Sequence, residues 1–299
     1  MKNRILITAA MGSTLLLAAC GGSNSTSTAS NNCPTDATAP SSKVAAPPSS
    51  DLQTPGTLTI GSDVSYPPQE FYPTGCSGNP ADGFDLDIGK AVAAHMGLKF
   101  AVVDQKFDGI IPALSAKKYD AIISAMTITD ERKKDVNFVP YFSAGESFVT
   151  TSGSSKNPQT INDLCGLKVA VEKGTTEESD ATDANDPAKK GPCVKNPIQF
   201  KDLSFDKDTQ ALEALRKGTA DVHFTDSPVA SYELLKNTGF KITNKTVQST
   251  APEGIAIRKA DAAMTTAITA AFDAMKTDGS YKKLLEKWQL TAGDISKAS

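Results

Sequence analysis

Apolar and polar residues follow two alternating patterns along the chain from residue 57 onward. Short apolar runs typical of buried strands occur at residues 58–60, 99–103 and 121–125. Between them, residues 87–95 and 109–117 carry apolar side chains at the spacing of an amphipathic helix. This alternation of strand and helix predicts an α/β fold with a parallel sheet flanked by helices.

The same alternation returns in the second half of the chain. We expect strands at 168–171, 198–200 and 221–224, helices at 208–217 and 228–237, a return strand at 254–257, and a helical tail over 262–288 that breaks at Asp278 and Gly279. Two such sets predict two lobes, each a sheet flanked by helices, with a hinged cleft between them. We expect lobe 1 to comprise residues 57–147 and 253–299, lobe 2 residues 148–252, and the chain to cross near 145–148 and 250–254.

The first 20 residues have the composition of an export signal peptide. Lys2 and Arg4 precede an apolar stretch over residues 5–19 that is too short and too rich in small residues to span a membrane. The stretch ends in Leu-Ala-Ala-Cys-Gly at positions 17–21, which resembles the lipobox of bacterial lipoproteins and predicts a lipid on Cys20. An ordinary signal with a chance cysteine is the alternative. We therefore expect an exported protein anchored to the cell membrane by its lipid alone, facing the periplasm or the cell exterior.

Composition separates the segment after the signal from the rest of the chain. Residues 21–56 are dominated by small and polar residues and contain no aromatic residue, so we expect a flexible tether. Across all 299 residues, 39% are hydrophobic and 22% are charged, which is typical of a globular protein. Loss of Lys2 and Arg4 would take the formal net charge from -3 to -5, and such a balance argues against a nucleic-acid partner.

The cysteines and histidines give no metal-binding pattern. The chain has no C-x-x-C motif and its two histidines are far apart, so we expect no metal and no cofactor. Export permits disulfides, and we expect Cys165 to pair with Cys193 because they bracket a polar segment of one lobe. The pairing of Cys33 with Cys76 stays open.

Candidate binding residues follow the predicted strands. Ligands of open α/β sheets bind beyond the carboxyl ends of the strands. The first strand is followed by Asp63 and Tyr66, and the second by Phe107 at a helix start. The third is followed by Thr127 and Arg132, which place a hydroxyl and a guanidinium beside a helix N-terminus suited to a carboxylate.

Several motifs in this order identify a family resemblance over residues 57–290. They are Gly-Phe-Asp-Leu-Asp at 83–87, Phe-Asp-Gly-Ile-Ile-Pro-Ala-Leu at 107–114, Thr-Ile-Thr-Asp-Glu-Arg at 127–132, Val-Ala-Val-Glu-Lys-Gly-Thr at 169–175 and Asp-Ser-Pro at 226–228. The chain resembles solute-binding protein family 3, the polar amino-acid binding proteins of bacterial ABC importers. The resemblance implies a monomer with a two-lobed type II periplasmic-binding-protein-like fold. Its lobes close over an amino acid, and the liganded form is then recognised by a membrane permease that works with an ATPase.

The resemblance also implies roles for matching residues. Arg132 would bind the ligand carboxylate, and Asp226 would bind its ammonium group. The carboxylate would also be bound by Thr127 and by backbone donors at Ala125, Thr175 and Thr176. This matching is physically reasonable, because a zwitterion removed from water needs an opposite charge for each of its own.

Each of these assignments has a structural alternative. Arg132 could be a solvated helix residue, and Asp226 could only cap the helix that follows it. Tyr66 and Phe107 would sandwich the ligand side chain by resemblance, whereas the alternative places them in the core. Because two prolines follow Tyr66, we expect exposed rings in the cleft.

Ligand specificity rests on two further carboxylates, Asp63 and Glu172. With no basic residue evident in the cleft, their charge favours a cationic ligand such as arginine, lysine or ornithine, with glutamine as the alternative. Glu172 could instead point to solvent, or pair with Lys173 or with a lysine elsewhere.

An enzyme of the same fold is the competing hypothesis. The chain has no hydrolase, metalloprotease or phosphate-binding motif, so no catalytic residue is assigned and we expect no enzymatic activity. Some exported relatives resemble amino-acid binding proteins yet act as dehydratases on prephenate or arogenate. In that case Glu177, directly after Gly-Thr-Thr, would serve as the general acid.

Overall fold

The computed structural model describes residues 33, 40, 42–76, 80–245 and 247–297. The predicted signal peptide over residues 1–20 and its lipidated Cys20 lie outside these residues. Among the helices that are described, none combines the length and the apolar character needed to cross a membrane.

Nine strands pair in the described part of the chain, in the order β2-β1-β3-β9-β4-β7-β5-β6, with β8 beside β4. In chain order they are β1 Thr57–Ser62, β2 Lys99–Asp104, β3 Ala121–Ile122, β4 Val136–Thr151, β5 Val169–Glu172, β6 Ser204–Phe205, β7 Val222–Asp226, β8 Phe240–Ile242 and β9 Gln248–Arg258. β1 is parallel to β2 and β3, and β5 is parallel to β6 and β7. The expected α/β class with parallel strands is confirmed.

The helices cover the strands on both sides. They are α1 Phe84–His95, α2 Ile110–Ser115, α3 Arg132–Asp135, α4 Thr176–Asn185, α5 Asp208–Arg216, α6 Ser227–Lys236, α7 Ala262–Asp278 and α8 Ser280–Trp288. Pro228 is the second residue of α6, in the first turn, where its missing N–H costs nothing. The expected break in the tail is confirmed at Gly279, whose φ of +78° ends α7.

Separate hydrophobic cores form around the two parallel groups of strands. We call the part around β1, β2 and β3 lobe 1, whose core includes Leu58, Ile60 and Phe84 packed against α7 and α8. The part around β5, β6 and β7 is lobe 2, whose core includes Val169 and Phe224. Both β5 and β7 are buried along their whole length, as expected for strands covered by helices on both faces.

Two long antiparallel strands connect the lobes. β4 pairs with β9 from Val136 to Glu146 and then continues beside β7 and β8, so hydrogen bonding runs without interruption from one lobe into the other. The register shifts between Ala144 and Glu146, which marks an irregularity at the crossing. A side chain could not replace the hydrogen at Gly145, because a Cβ there would lie 2.5 Å from the carbonyl oxygen of Gln248.

Two predicted strands differ from the structure. Only Ala121–Ile122 of residues 121–125 is strand, because the chain turns away at Ala125, which has a φ of +42°. Residues 198–200 form a single bridge at Gln199 instead of a strand. The side chain of Asn185 binds both the N–H and the carbonyl of Ile198, so these groups do not pair with a neighbouring strand.

The predicted tether is too long at its C-terminal end. Residues 42–56 lie against lobe 1, where Leu52 is only 7% exposed and belongs to the core. The N–H of Val44 donates to the carbonyl of His95, and that of Gln53 donates to Asp120. A few well-placed apolar residues therefore order a segment whose overall composition favours a tether.

Both possible disulfides are present. Cys165 and Cys193 are joined, as predicted, with a Cα–Cα distance of 5.0 Å. The pair that the sequence left open, Cys33 and Cys76, is joined as well, with a Cα–Cα distance of 5.5 Å. The first lies within lobe 2, and the second joins Cys33 to the loop that precedes α1.

Candidate functional site

One small cavity between the lobes is lined by all the residues that the sequence nominated for ligand binding. They are Asp63, Tyr66, Phe107, Ala125, Thr127, Arg132, Glu172, Thr175, Thr176 and Asp226. Glu70, Ser124 and Glu177 complete the lining. Of these three, the sequence had considered only Glu177, as the general acid of the alternative function.

Strand topology explains why residues so distant in sequence meet here. Asp63 directly follows β1, Phe107 lies just past β2, and Thr127 lies beyond β3. In lobe 2, Glu172 ends β5 and Asp226 ends β7. The carboxyl ends of both parallel groups of strands therefore face one another across the cavity, as the topology of open α/β sheets requires.

Tyr66 and Asp226 make a direct contact between the lobes. The Tyr66 hydroxyl donates to Oδ2 of Asp226 at 2.9 Å and accepts from the Asp226 N–H at 3.1 Å. The Asp226 side chain makes no capping hydrogen bond to α6, so the capping alternative is wrong. Tyr66 is 6% exposed, and the expectation of an exposed ring is wrong because both lobes cover it.

Arg132 of lobe 1 reaches the backbone of lobe 2. Its guanidinium donates to the carbonyl of Thr127 at 2.8 Å and to the carbonyl of Gly174 at 3.0 Å. It also lies over the ring of Phe107, 5.2 Å from the centroid, so this ring contacts a protein cation. The alternative in which Arg132 is a solvated helix residue is therefore wrong.

Of the backbone donors expected to bind the ligand carboxylate, that of Ala125 has a partner in the protein, and the hydroxyls of Thr175 and Thr176 make local contacts. The N–H of Ala125 donates to Oδ2 of Asp85 at 2.6 Å and is already occupied. Thr175 caps α4, and its hydroxyl donates to the carbonyl of Glu172. The Thr176 hydroxyl donates to Glu177 at 3.3 Å.

Asp63 has more partners than the sequence indicated. It accepts hydrogen bonds from the Ser65 hydroxyl at 2.6 Å and from the Phe107 N–H at 2.9 Å. Lys207 of lobe 2, which sequence reasoning missed, lies 3.7 Å from the same carboxylate. Burial raises the pKa of Asp63, while Ser65 and Lys207 act to lower it. A basic residue is therefore present at this end of the cavity.

Glu172 and Glu177 are buried acids with unsatisfied oxygens. Oε1 of each has no hydrogen-bond partner within the described residues. Burial raises the pKa of Glu177 to about 7 and that of Glu172 well above its ordinary value. The alternatives for Glu172 are wrong, because it is 5% exposed and Lys173 pairs with Asp206 at 3.0 Å instead.

A second layer of acids lies beneath the lobe 1 side of the cavity. The Ser124 hydroxyl donates to Glu70 at 2.6 Å and accepts from the N–H of Asp63, which fixes the Asp63 loop. Below it, Tyr141 donates to Asp85 at 2.6 Å and lies 3.3 Å from Glu253. Burial raises the pKa of Asp85 to about 6 and that of Glu70 well above its ordinary value. Glu70 and Ser124 follow the first and third strands, and only their position there could have indicated them.

Ion pairs also join the lobes at the outer edge of the cleft. Lys106 of lobe 1 lies 2.6 Å from Asp206 of lobe 2, which also pairs with Lys173. These contacts hold the pKa of Asp206 at about 2. Together with the Tyr66 and Arg132 contacts, they describe a closed arrangement of the lobes.

Neither histidine lies in the cavity lining. His95 contacts Asp278 at 3.0 Å, and His223 contacts Asp208 at 2.7 Å. Over the ranges that the structure describes, no group of three or more His, Cys, Asp or Glu side chains is placed to hold a metal ion. The chemistry that the cavity offers is charge recognition by a guanidinium on one side and several carboxyl groups on the other.

Two relatives are similar in sequence to this chain over most of its length. The ABC transporter arginine-binding protein 1 of Escherichia coli is 32% identical over 77% of this chain and 90% of its own length. The L-cystine-binding protein TcyJ of the same species is 30% identical over 81% of this chain and 85% of its own length.

Solved structures show the same fold. An ancestral arginine-binding protein bound to arginine aligns with a TM-score of 0.68 and 37% identity, covering 78% of this chain and 98% of that one. An ancestral amino acid-binding protein described as a precursor of cyclohexadienyl dehydratase aligns with a TM-score of 0.67 and 36% identity, covering 78% and 95%. The expected type II periplasmic-binding-protein fold is confirmed.

The sequence model of one family matches residues 58–291, which include every lining residue of the cavity. The relatives described above cover a similar share of the chain, and the solved structures among them have the same fold. The chain therefore belongs to the bacterial extracellular solute-binding proteins, family 3.

Proposed function

We propose that this protein captures a free amino acid with a cationic side chain and presents it to the permease of an ABC importer. The observation that carries the proposal is the single cavity lined by Arg132 of lobe 1 and Asp226 of lobe 2. These two residues carry opposite charges and come from opposite lobes, so full coordination of a zwitterion needs both lobes.

Arg132 would bind the α-carboxylate and Asp226 the α-ammonium. A guanidinium can bind a carboxylate through two parallel hydrogen bonds, which fixes its position as well as its charge. In the ligand-free protein the donors of Arg132 bind backbone carbonyls, and Asp226 is bound by Tyr66. The ligand would replace these contacts. Because both side chains are already removed from water, its binding requires little further desolvation of them.

The charge of the cavity supports a cationic side chain. Asp63, Glu172, Glu177 and Glu70 remain after Arg132 and Asp226 are assigned to the zwitterion. Arginine, lysine and ornithine are the candidates, and glutamine is the alternative. The relatives named above include arginine-binding and cystine-binding proteins, so the side chain has to be argued from the cavity itself.

Closure would occur by rotation about the two crossing strands. We propose that residues 57–147 with 253–299 and residues 148–252 move as two bodies, flexing where β4 shifts its register near Gly145 and where Ser249 of β9 has a φ of +45°. The ligand would select the closed form through its greater affinity for that form.

We also propose a site of action outside the cell membrane. Cys20 would carry the lipid anchor, and the protein would work as a monomer with a permease and an ATPase that are separate chains. Membership of a family of extracellular binding proteins supports the exported location.

Calorimetric titration of the purified protein with single amino acids tests the proposal. Arginine, lysine, ornithine and glutamine are titrated at one pH and one salt concentration. Tight binding of a cationic amino acid, with glutamine weaker, is the expected result. Glutamine binding far more tightly than arginine would remove the cationic assignment, and no binding of any amino acid would remove the function.

A dehydratase is the second candidate, because Glu177 lines the cavity with its pKa raised to about 7 and could donate a proton near neutral pH. The likeness to an ancestral binding protein that preceded a dehydratase makes the test worthwhile. Incubation with prephenate or arogenate separates the two functions. We expect no aromatic product, whereas product formed with turnover would establish the enzyme.

A further inference from the structure

Not every acid in the cavity is equally able to recognise a cationic side chain. Asp63 is the more obvious choice, since it follows β1 and lines the cavity. However, it already accepts two hydrogen bonds, from Ser65 and from the N–H of Phe107. The positive charge of Lys207, 3.7 Å away, also partly offsets the negative charge of Asp63. Its attraction for another cation is correspondingly reduced.

Glu172 is in the opposite situation. It ends β5, lines the cavity, is 5% exposed, and its Oε1 has no hydrogen-bond partner among the residues described. The lysine next to it in sequence is turned away toward Asp206. A buried carboxylate with an unsatisfied oxygen and no paired cation is strongly unfavourable.

The charged groups that face Glu172 are mostly acidic. They are Asp63 from the loop after β1, Glu177 from α4 and Asp208 from the start of α5. Asp208 also contacts His223 of β7, 2.7 Å away, and its backbone donates to Glu172. Burial and then these acids raise the pKa of Glu172 well above its ordinary value, outweighing that hydrogen bond. Burial among these acids therefore favours the protonated form of Glu172.

A ligand cation changes this balance. An ammonium or guanidinium beside Glu172 supplies both the missing donor and the missing positive charge, so the carboxylate becomes the favoured form. The proton that Glu172 loses passes to the buffer. The pKa of Asp226 is raised as well, but arginine and glutamine both place an α-ammonium there, so any proton lost from Asp226 is common to the two ligands. A neutral side chain such as that of glutamine can hydrogen bond to the neutral acid and leaves the proton in place.

We propose that Glu172 selects the cationic side chain of the ligand, and that it gives up a proton to the solvent when that cation binds. The inference rests on the proposed function, since it assumes an amino acid in this cavity. It adds that the ligand cation takes the place of the proton on Glu172. Asp63 contributes less to recognition of the cation, because Lys207 lies beside it.

The test is calorimetry of the full chain with arginine and with glutamine, at pH 7, in phosphate and in Tris. These buffers differ in their enthalpy of protonation, so the difference between the two binding enthalpies counts the protons released. We expect about one proton more to be released per arginine bound than per glutamine bound. This measurement needs no variant and is unaffected by any folding defect.

The variant Glu172→Gln identifies the source of the proton. Glutamine has the shape of the neutral acid, so binding through Arg132 and Asp226 should persist. We expect the additional proton release with arginine to vanish and the preference for arginine over glutamine to fall by about tenfold or more. Glu213→Gln, an exposed acid of α5 paired with Arg216, is the matched control and should leave both quantities unchanged.

The outcomes separate the two levels of the account. No binding of any amino acid would refute the proposed function. Equal proton release with arginine and with glutamine in the wild-type protein would refute this inference alone. The same holds if Glu172→Gln releases as many protons with arginine as wild type, or if Glu177→Gln rather than Glu172→Gln abolishes the additional release.

Discussion

The hydroxyl of Tyr66 in lobe 1 lies 2.9 Å from Oδ2 of Asp226 in lobe 2 and donates a hydrogen bond to it. Burial and the nearby Glu177 raise the pKa of Asp226 well above its ordinary value, and the Tyr66 hydrogen bond acts in the opposite direction. Tyr66 therefore stabilises both the charged form of Asp226 and the contact between the lobes. The residue proposed to bind the ligand ammonium is thus already oriented by the opposite lobe.

Removing that hydroxyl should loosen closure. In Tyr66→Phe the ring stays but the hydrogen bond to a buried acid is lost, which typically costs about 1.5–3 kcal/mol when the partner is charged. We expect affinity for the amino acid to fall by roughly tenfold or more. Small-angle X-ray scattering should show a larger radius of gyration for the ligand-free protein.

The control is Tyr72→Phe, which removes the hydroxyl of an exposed ring that lies 3.5 Å from Asp104. It should change neither affinity nor radius of gyration. If Tyr66→Phe also leaves both unchanged, this hydroxyl has no part in closure.

The variant Arg132→Ala tests whether Arg132 binds the ligand carboxylate. Loss of one partner of a buried, hydrogen-bonded charge pair costs about 2–5 kcal/mol, so we expect binding to weaken at least about thirtyfold. The melting temperature of the ligand-free protein should stay close to the wild-type value, because Arg132 contacts only backbone carbonyls and the Phe107 ring.

Lys133→Ala is the matched control, since Lys133 is the next residue and pairs only with the exposed Asp130. Titration calorimetry and a thermal melt of both variants decide the matter. Retained affinity in Arg132→Ala would place the carboxylate elsewhere.

Gly174 tests the need for close approach of the lobes. It has a φ of +79°, and a Cβ built on it would lie 2.9 Å from the Cα of Asp108 in lobe 1. Gly174→Ala should therefore hinder closure and weaken binding, with a larger radius of gyration in the presence of ligand. Gly239→Ala, where a Cβ meets nothing within 4 Å, should behave as wild type. Equal behaviour of the two variants would contradict closure as described.

The buried acids predict an unusual dependence of stability on pH. Burial raises the folded-state pKa of Asp85 from 3.8 to about 6 and that of Glu177 from 4.5 to about 7. An acid whose pKa is raised by folding binds its proton more tightly in the folded state, so stability is full below the unfolded pKa and is lost as pH rises through the folded pKa.

The ligand-free protein should therefore melt at a higher temperature at pH 5.5 than at pH 8, by roughly 5–10 °C if the acids together contribute a few kcal/mol. Scanning calorimetry across this range gives the answer. Glu177→Gln should flatten the upper part of the profile. A melting temperature that rises with pH between 6 and 8 would mean that these groups are ionised in the folded protein.

The sequence predicted which residues line the cavity better than it predicted the contacts among them. Asp63, Phe107, Thr127 and Arg132 could be identified because each follows a predicted strand, and topology alone brings such positions together. The family motifs added Asp226. Nothing in the local pattern, however, indicated which donors would already be occupied, as at Ala125.

Contacts between residues far apart in sequence account for what was missed. Lys207 precedes α5 in lobe 2 and reaches Asp63 only when the lobes meet. Leu52 lies in a segment of tether-like composition, and its burial depends on a core that other elements build. β4 was not predicted as a strand, and only a crossing near residues 145–148 was expected, because its side chains alternate irregularly between buried and partly exposed positions. The local pattern of apolar and polar residues does not show which distant residues will be in contact.

The most direct measurement is a crystal structure of the protein with arginine bound. The account predicts the α-carboxylate on the guanidinium of Arg132, the α-ammonium on Asp226 in place of the Tyr66 hydroxyl, and the guanidinium of the ligand within hydrogen-bonding distance of Glu172. An amino acid bound outside this cavity, or bound with its carboxylate away from Arg132, would contradict it.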